Sequence, residues 1–144
     1  MSRSQPQPRS EFKVFIPMQT RWSDNDVYGH INNVVYYSYF DTAVNQFLIE
    51  QGLLDIQQSQ IIGLVVATQC EYFSSIAYPE ALEIGIAVTK LGRSSVHYAL
   101  GVFQENAETC CALGKFVHVY VDKLSLQPQP LSDNMVACLT RIKR

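Results

Sequence analysis

The sequence predicts an α+β domain of two layers, a five-stranded antiparallel sheet with one apolar helix laid across a face. Three observations predict it. A single amphipathic stretch, with Tyr36, Phe40, Ala43, Val44, Phe47 and Leu48 at helical spacing, follows one short alternating segment. Four longer apolar or alternating segments come after it. The links between those segments are too short for parallel returns, which need a dozen or more residues. A chain of 144 residues fits one domain and buries roughly 68–70% of its unfolded surface, enough for a real core.

In chain order, residues 1–11 are polar and Pro-rich and read as a disordered leader, which leaves residues 12–144 as one domain with a C-terminal helix. Phe12, Val14, Ile16 and Met18 then alternate with Lys13, Phe15, Pro17 and Gln19, as a strand with one face on a core does. Pro17 cannot donate to a ladder, which places it on an edge or at a bulge. The helix is expected over 34–51, with Asn32 or Asn33 capping its start and Gly52 stopping it. Residues 61–73 read as an apolar, β-branched strand ended by the turn chemistry of 74–79. Leu82, Ile84, Ile86 and Val88 alternate in the next strand, 95–104 follows after a Gly92-Arg93-Ser94 break, and 109–121 is the last. Beyond a Gln/Pro linker, Ser132 caps a final amphipathic helix carrying Met135, Val136, Leu139 and Ile142.

Composition excludes several classes. With eleven basic and thirteen acidic residues and no basic run interleaved with aromatics, there is no nucleic-acid footprint. No stretch approaches the eighteen or so apolar residues of a membrane span, and the start lacks the apolar stretch of a secretory signal. Cys70, Cys110, Cys111 and Cys138 form no Cys-x-x-Cys pair, and the three histidines are dispersed, so no metal site is expected. His97 and His118 fall on strands and read as satisfied sheet residues. A cytoplasmic protein is the expectation.

The chemistry is concentrated in residues 21–33, between the first strand and the helix. Asp24, Asp26, His30, Asn32, Asn33 and Gly29 stand there together. A strand-to-helix junction opens side chains at the mouth of a core and leaves unpaired N–H groups where negative charge can be held. On composition alone, Asp24 and Asp26 serve equally as turn and capping residues. His30 either polarises a carbonyl, holds water or Asp26, or bonds a nearby carbonyl; Asn32 and Asn33 are caps or assist an oxyanion. Gly29 supplies positive φ or close backbone approach.

The run Asp24-Asn25-Asp26-Val27-Tyr28-Gly29-His30-Ile31-Asn32-Asn33-Val34-Val35-Tyr36, with Tyr72-Phe73, Pro79 and Leu91-Gly92-Arg93-Ser94-Ser95 further on, resembles the 4-hydroxybenzoyl-CoA thioesterase-like acyl-CoA thioesterases. The resemblance runs from about residue 12 to about residue 122. It implies a hotdog fold, in which the antiparallel sheet wraps a central helix. It further implies hydrolysis of an acyl-CoA thioester with no cofactor, by Asp26 as general base or nucleophile. The oxyanion donor it implies is the backbone N–H at the helix start, on Asn33. His30 joins the catalytic set, while Asn32, Gly29 and Tyr36 line the substrate site. Arg93, with Ser94 and Ser95, grips a CoA phosphate. The site is shared between subunits of a homodimer or a dimer-of-dimers homotetramer. Two rivals on the same fold are an enoyl-CoA hydratase or dehydratase and a non-catalytic acyl-CoA binder. The first uses an Asp and a His five residues on, whereas Asp26 and His30 are four apart. The second has no use for an unpaired acid beside an anionic ligand.

Overall fold

A computed structural model describes residues 4–144. Its elements are β1 (Val14–Gln19), α1 (Val35–Glu50), β2 (Ile61–Tyr72), β3 (Ala81–Leu91), β4 (Ser95–Gln104), β5 (Ala112–Asp122) and α2 (Asp133–Thr140). One sheet holds the five strands in the order β1-β3-β4-β5-β2, with every neighbouring pair antiparallel. Tyr36, Tyr39, Phe40, Ala43, Val44, Phe47 and Leu48 are the buried side of α1, and they pack on the sheet's inner face. The predicted helical stripe is therefore the core stripe, with Tyr39 added to it.

The helix ends as expected from Gly52. That residue takes φ +72°, its N–H reaches the Ile49 carbonyl at 3.0 Å, and the Leu53 N–H reaches Leu48 at 2.8 Å. These paired bonds close the last turn because glycine enters the left-handed region without a Cβ penalty. At the other end of the chain, Ser132 Oγ accepts the Met135 N–H at 3.1 Å, and α2 buries Met135, Cys138 and Leu139. Pro17 lies on edge strand β1.

The structure departs from the sequence reading at several points. Strand β2 runs antiparallel to β3, as the short link requires, but is not its neighbour: β2 pairs with β5, and the link from β2 to β3 crosses the end of the sheet. Buried Ile76 anchors that crossing, its carbonyl accepting the Ile31 N–H at 2.8 Å. As the outermost strand, β2 leaves Leu64, Val65 and Val66 of its apolar run exposed.

Residues 4–11, expected as disordered, are docked on the outer face of the sheet, while residues 1–3 of that leader lie outside the described residues. Pro8 pairs with Thr109 and Cys110 N–H bonds Gln7, so β5 begins at Ala112 rather than at 109. Arg9 forms an ion pair with Glu83 at 2.8 Å and lies over the rings of Phe15 and Phe103. One planar cation thus satisfies a carboxylate and two aromatic faces at once. The short turn at Arg9–Glu11 also reorients Phe12. It packs edge-on to Phe103, 5.6 Å between centroids, in an outer cluster away from Ile16.

Candidate active site

Beyond β1 the chain makes a 3-10 turn, Trp22–Asp24, that is closed by its own last residue. The buried Asp24 carboxylate accepts the Arg21 N–H at 2.9 Å, the Arg21 guanidinium at 2.9 and 3.0 Å, and the Tyr39 hydroxyl of α1 at 2.7 Å. Burial alone would raise its pKa, but the Tyr39 and Arg21 donors outweigh it and hold the carboxyl below the usual range. The Asp24 carbonyl also accepts the Asn32 N–H at 2.9 Å. Asp24 therefore ties the first turn of the loop, its last residues and the helix together.

Asp26 opens a second, tighter turn. Its N–H bonds the His30 carbonyl at 2.8 Å, and its carbonyl accepts the Gly29 N–H at 3.1 Å. Its Oδ1 accepts the Tyr28 N–H at 2.9 Å and the His30 N–H at 3.4 Å, while Oδ2 takes no hydrogen bond among the described residues. The side chain is half-buried and His30 is exposed. Gly29 sits at φ +83°, and a Cβ there would meet nothing within 4 Å. The turn needs its glycine for the backbone angle and not for close approach.

Next to this loop lies a cleft of about 300 Å³ between the start of α1, the end of β2 and the crossing link. Ile31, Asn33, Tyr36, Tyr72, Ser74 and Ser75 line it. The Tyr72 hydroxyl donates to the Asn33 carbonyl at 2.9 Å, and its ring stands edge-on to Tyr36 at 4.9 Å. Asn32 turns back on the chain, its Oδ1 accepting the Val34 N–H at 3.0 Å. The Asn33 N–H has no acceptor among the described residues, at the end of α1 where the helix dipole is positive. Burial pushes the Tyr36 phenol well above its ordinary pKa, keeping that wall neutral.

Of the residues singled out by sequence, Asn33 and Tyr36 line the cleft. Asp26, Gly29, His30 and Asn32 form the loop beside it without lining it. Arg93, Ser94 and Ser95 do not join them. They sit at the β3–β4 hairpin, the other end of a strand whose eleven residues span on the order of 30 Å. Sequence reading missed Tyr39 as the partner of Asp24. It also placed Tyr72 at a strand end and in the family pattern, and Ser74 and Ser75 in a turn, without joining any of them to the site. A tyrosine placed three residues after Tyr36 on the same helix face was the available signal for Tyr39.

The model of the thioesterase-like superfamily matches residues 20–139. The chain belongs to that superfamily. Its fold is the hotdog fold, a five-stranded antiparallel sheet around a central helix. It is similar to the PA5185 protein from Pseudomonas aeruginosa strain PAO1, at 46% identity and a TM-score of 0.94, covering 96% of this chain and 97% of that one. It is also similar to YsmA of Bacillus subtilis (strain 168), 31% identical over 120 residues, 81% of this chain and 78% of the relative. The DHNA-CoA thioesterase from Staphylococcus aureus shares the fold, with a TM-score of 0.74 at 24% identity over 81% of this chain and 79% of that one. Membership of the superfamily supports a thioesterase-type function. Among the described residues, no helix of this hotdog protein is long and apolar enough to cross a membrane.

Proposed function

We propose that this protein is an acyl-CoA thioesterase that releases a free acid and CoA. The observation that carries the reading is the unpaired Asn33 N–H at the start of α1, in an open cleft of a thioesterase-superfamily chain. Attack on a thioester carbonyl puts negative charge on its oxygen, and one well-aimed backbone donor there is worth about 2.7–4 kcal/mol. The free Oδ2 of Asp26 supplies the other half. As general base it takes a proton from water while the water oxygen bonds the carbonyl carbon; the C–S bond then breaks and CoA leaves as its thiol. As nucleophile its Oδ2 bonds the carbonyl carbon, the C–S bond breaks and CoA leaves as its thiolate; water then cleaves the acyl-aspartate anhydride to the free acid and the Asp26 carboxylate, with a proton going to the thiolate. His30 stands beside Asp26 to hold the water, Gly29 and Asn32 shape the turn, and Tyr36 forms an apolar wall for the acyl group.

In this reading the site is completed by a second copy. Exposed Leu64, Val65 and Val66 on the unpaired edge of β2 are suited to strand pairing between protomers. Antiparallel pairing of two β2 edges brings the far end of one sheet beside the cleft of the other. Arg93, Ser94 and Ser95 would then meet the CoA phosphates of the neighbouring site. A homodimer, or a pair of such dimers, is the proposed assembly. The four free cysteines suit a reducing compartment, and the cytoplasm is the proposed location.

Replacing Asp26 with Asn and assaying a panel of acyl-CoAs tests the reading. General-base action contributes roughly 10²–10⁴-fold, and a loss of that size is expected. Near wild-type rates on every good substrate would overturn it.

A further inference from the structure

The direction in which the cleft beside Asn33 would deepen is the seam between α1 and the sheet, and that seam is filled. Tyr36, Phe40, Val44 and Phe47 follow one another along α1 at steps of three or four residues, and none is more than 3% exposed. They form one continuous ridge in the core. Facing them, Ala112, Gly114 and Phe116 share one side of β5, and Ala112 and Phe116 are buried. Gly114 lets the helix come close: a Cβ there would stand 2.6 Å from Phe40 Cζ and 3.0 Å from Cδ2. The missing side chain allows the Phe40 ring to rest on the strand backbone, so the room that a small residue leaves is taken up by the helix.

Tyr36 is the ridge residue at the cleft end. It lines the cleft and is nevertheless only 3% exposed, so one edge of its ring is the floor and the rest belongs to the core. Tyr72 stands against it at 4.9 Å and Tyr39 at 6.2 Å between centroids, and Phe40 follows one helical turn behind. The cleft therefore stops at Tyr36 with about 300 Å³, the lower end of the roughly 300–1,000 Å³ of ligand pockets. At roughly 30 Å³ for each water-sized group it has room for about ten, of which the thioester carbon, oxygen and sulfur take about three and leave about seven. A second copy can add walls around the mouth. It cannot lower a floor that is buried inside one chain.

We propose that Tyr36, backed by Phe40 on Gly114, is the stop that limits acyl length, and that the substrates are CoA thioesters of short-chain acids of about eight carbons or fewer. The inference rests on the thioesterase reading of this cleft. Each methylene moved into apolar surroundings tightens binding by up to about fourfold. Carbons past the stop have no such surroundings to enter and gain nothing.

The test measures kcat/KM of the full chain for straight-chain acyl-CoAs from acetyl to dodecanoyl. The value is expected to climb with each added carbon and then to level or fall beyond about eight carbons. Tyr36→Ala, which takes away the floor, should raise the dodecanoyl-to-butanoyl ratio of kcat/KM by roughly tenfold or more. Tyr36→Leu, which keeps a packed side chain there, should raise it by less and serves if the alanine variant does not fold. Wild-type values still climbing from octanoyl to dodecanoyl, or a ratio that neither variant raises, would overturn the stop and leave the thioesterase reading standing. Hydrolysis of no member of the series by the wild-type protein would overturn the thioesterase reading, and the stop with it.

Discussion

The Tyr72 hydroxyl donates to the Asn33 carbonyl across 2.9 Å, fastening the last residue of β2 to the turn that begins α1. This bond fixes the peptide carbonyl that follows the unpaired Asn33 N–H, and it does so from a different strand. Tyr72→Phe keeps the ring packing against Tyr36 and removes the hydroxyl, and with it the fastening and its interactions with Cys70 and Tyr37. Steady-state hydrolysis is expected to show kcat lowered roughly three- to tenfold, the worth of one hydrogen bond, with KM little changed. An unaltered kcat would mean that the turn holds its shape without Tyr72.

Acid should destabilise the fold in two separable windows. His118 has its folded pKa lowered to about 4 from an ordinary 6.5, so the neutral ring's stability is fully present above about 6.5. It is lost as pH falls toward 4, at up to about 1.4 kcal/mol per pH unit. The Asp24 carboxyl is also lowered, from 3.8. Its contribution is present above that value and is lost only at lower pH. Urea midpoints measured across pH should lose the upper slope in His118→Phe. They should lose the lower one in Asp24→Asn.

Tyr39→Phe deletes the buried donor to Asp24 and should cost about 1.5–3 kcal/mol, the range for a hydrogen bond to a charged group. The loss should shrink in an Asp24→Asn background, because the two residues share the interaction. Additive losses in that double-mutant cycle would show that Tyr39 acts through packing alone.

At Gly29 the predicted cost is conformational. With φ at +83° and open space around a would-be Cβ, Gly29→Val should destabilise by about 1–2 kcal/mol, whereas Gly29→Asn should be nearly neutral. Equal melting temperatures for the two variants would contradict this account.

If a working site draws Asp26 from one copy and Arg93 from the other, two crippled proteins should rescue each other. Asp26→Asn and Arg93→Ala chains, unfolded together and refolded, form mixed dimers in which one of the two sites is intact. Activity at low acyl-CoA should exceed that of either variant refolded alone. No gain on mixing would place Arg93 outside the site.

Much of the fold is legible in residue order because its signals are local. The period of Tyr36, Phe40, Ala43, Val44 and Phe47 locates the helix, Gly52 its end and Ser132 the start of the last one. The pairing of β2 with β5 is not legible, since Val65 and Val66 look the same on a free edge as in a core. Nor is the docking of Arg9, whose partners Glu83 and Phe103 are more than seventy residues away in the chain. The loop around Asp26 stands out by its density of polar groups, and Asn33 and Tyr36 do line a cleft. Tyr72 reaches that cleft only through the tertiary fold, and Arg93, a neighbour of the motif in the family pattern, lies at the opposite end of the sheet.

Near the two ends of the described chain, Arg144 donates to the Gln7 side chain at 2.6 Å and to the Glu11 carbonyl at 3.0 Å, its guanidinium stacked on Phe12. A few glycines inserted between residue 144 and residue 7 would therefore circularise the polypeptide without displacing either segment. New openings cut at the surface turn near Asn106 would then yield a rearranged connectivity over the same sheet.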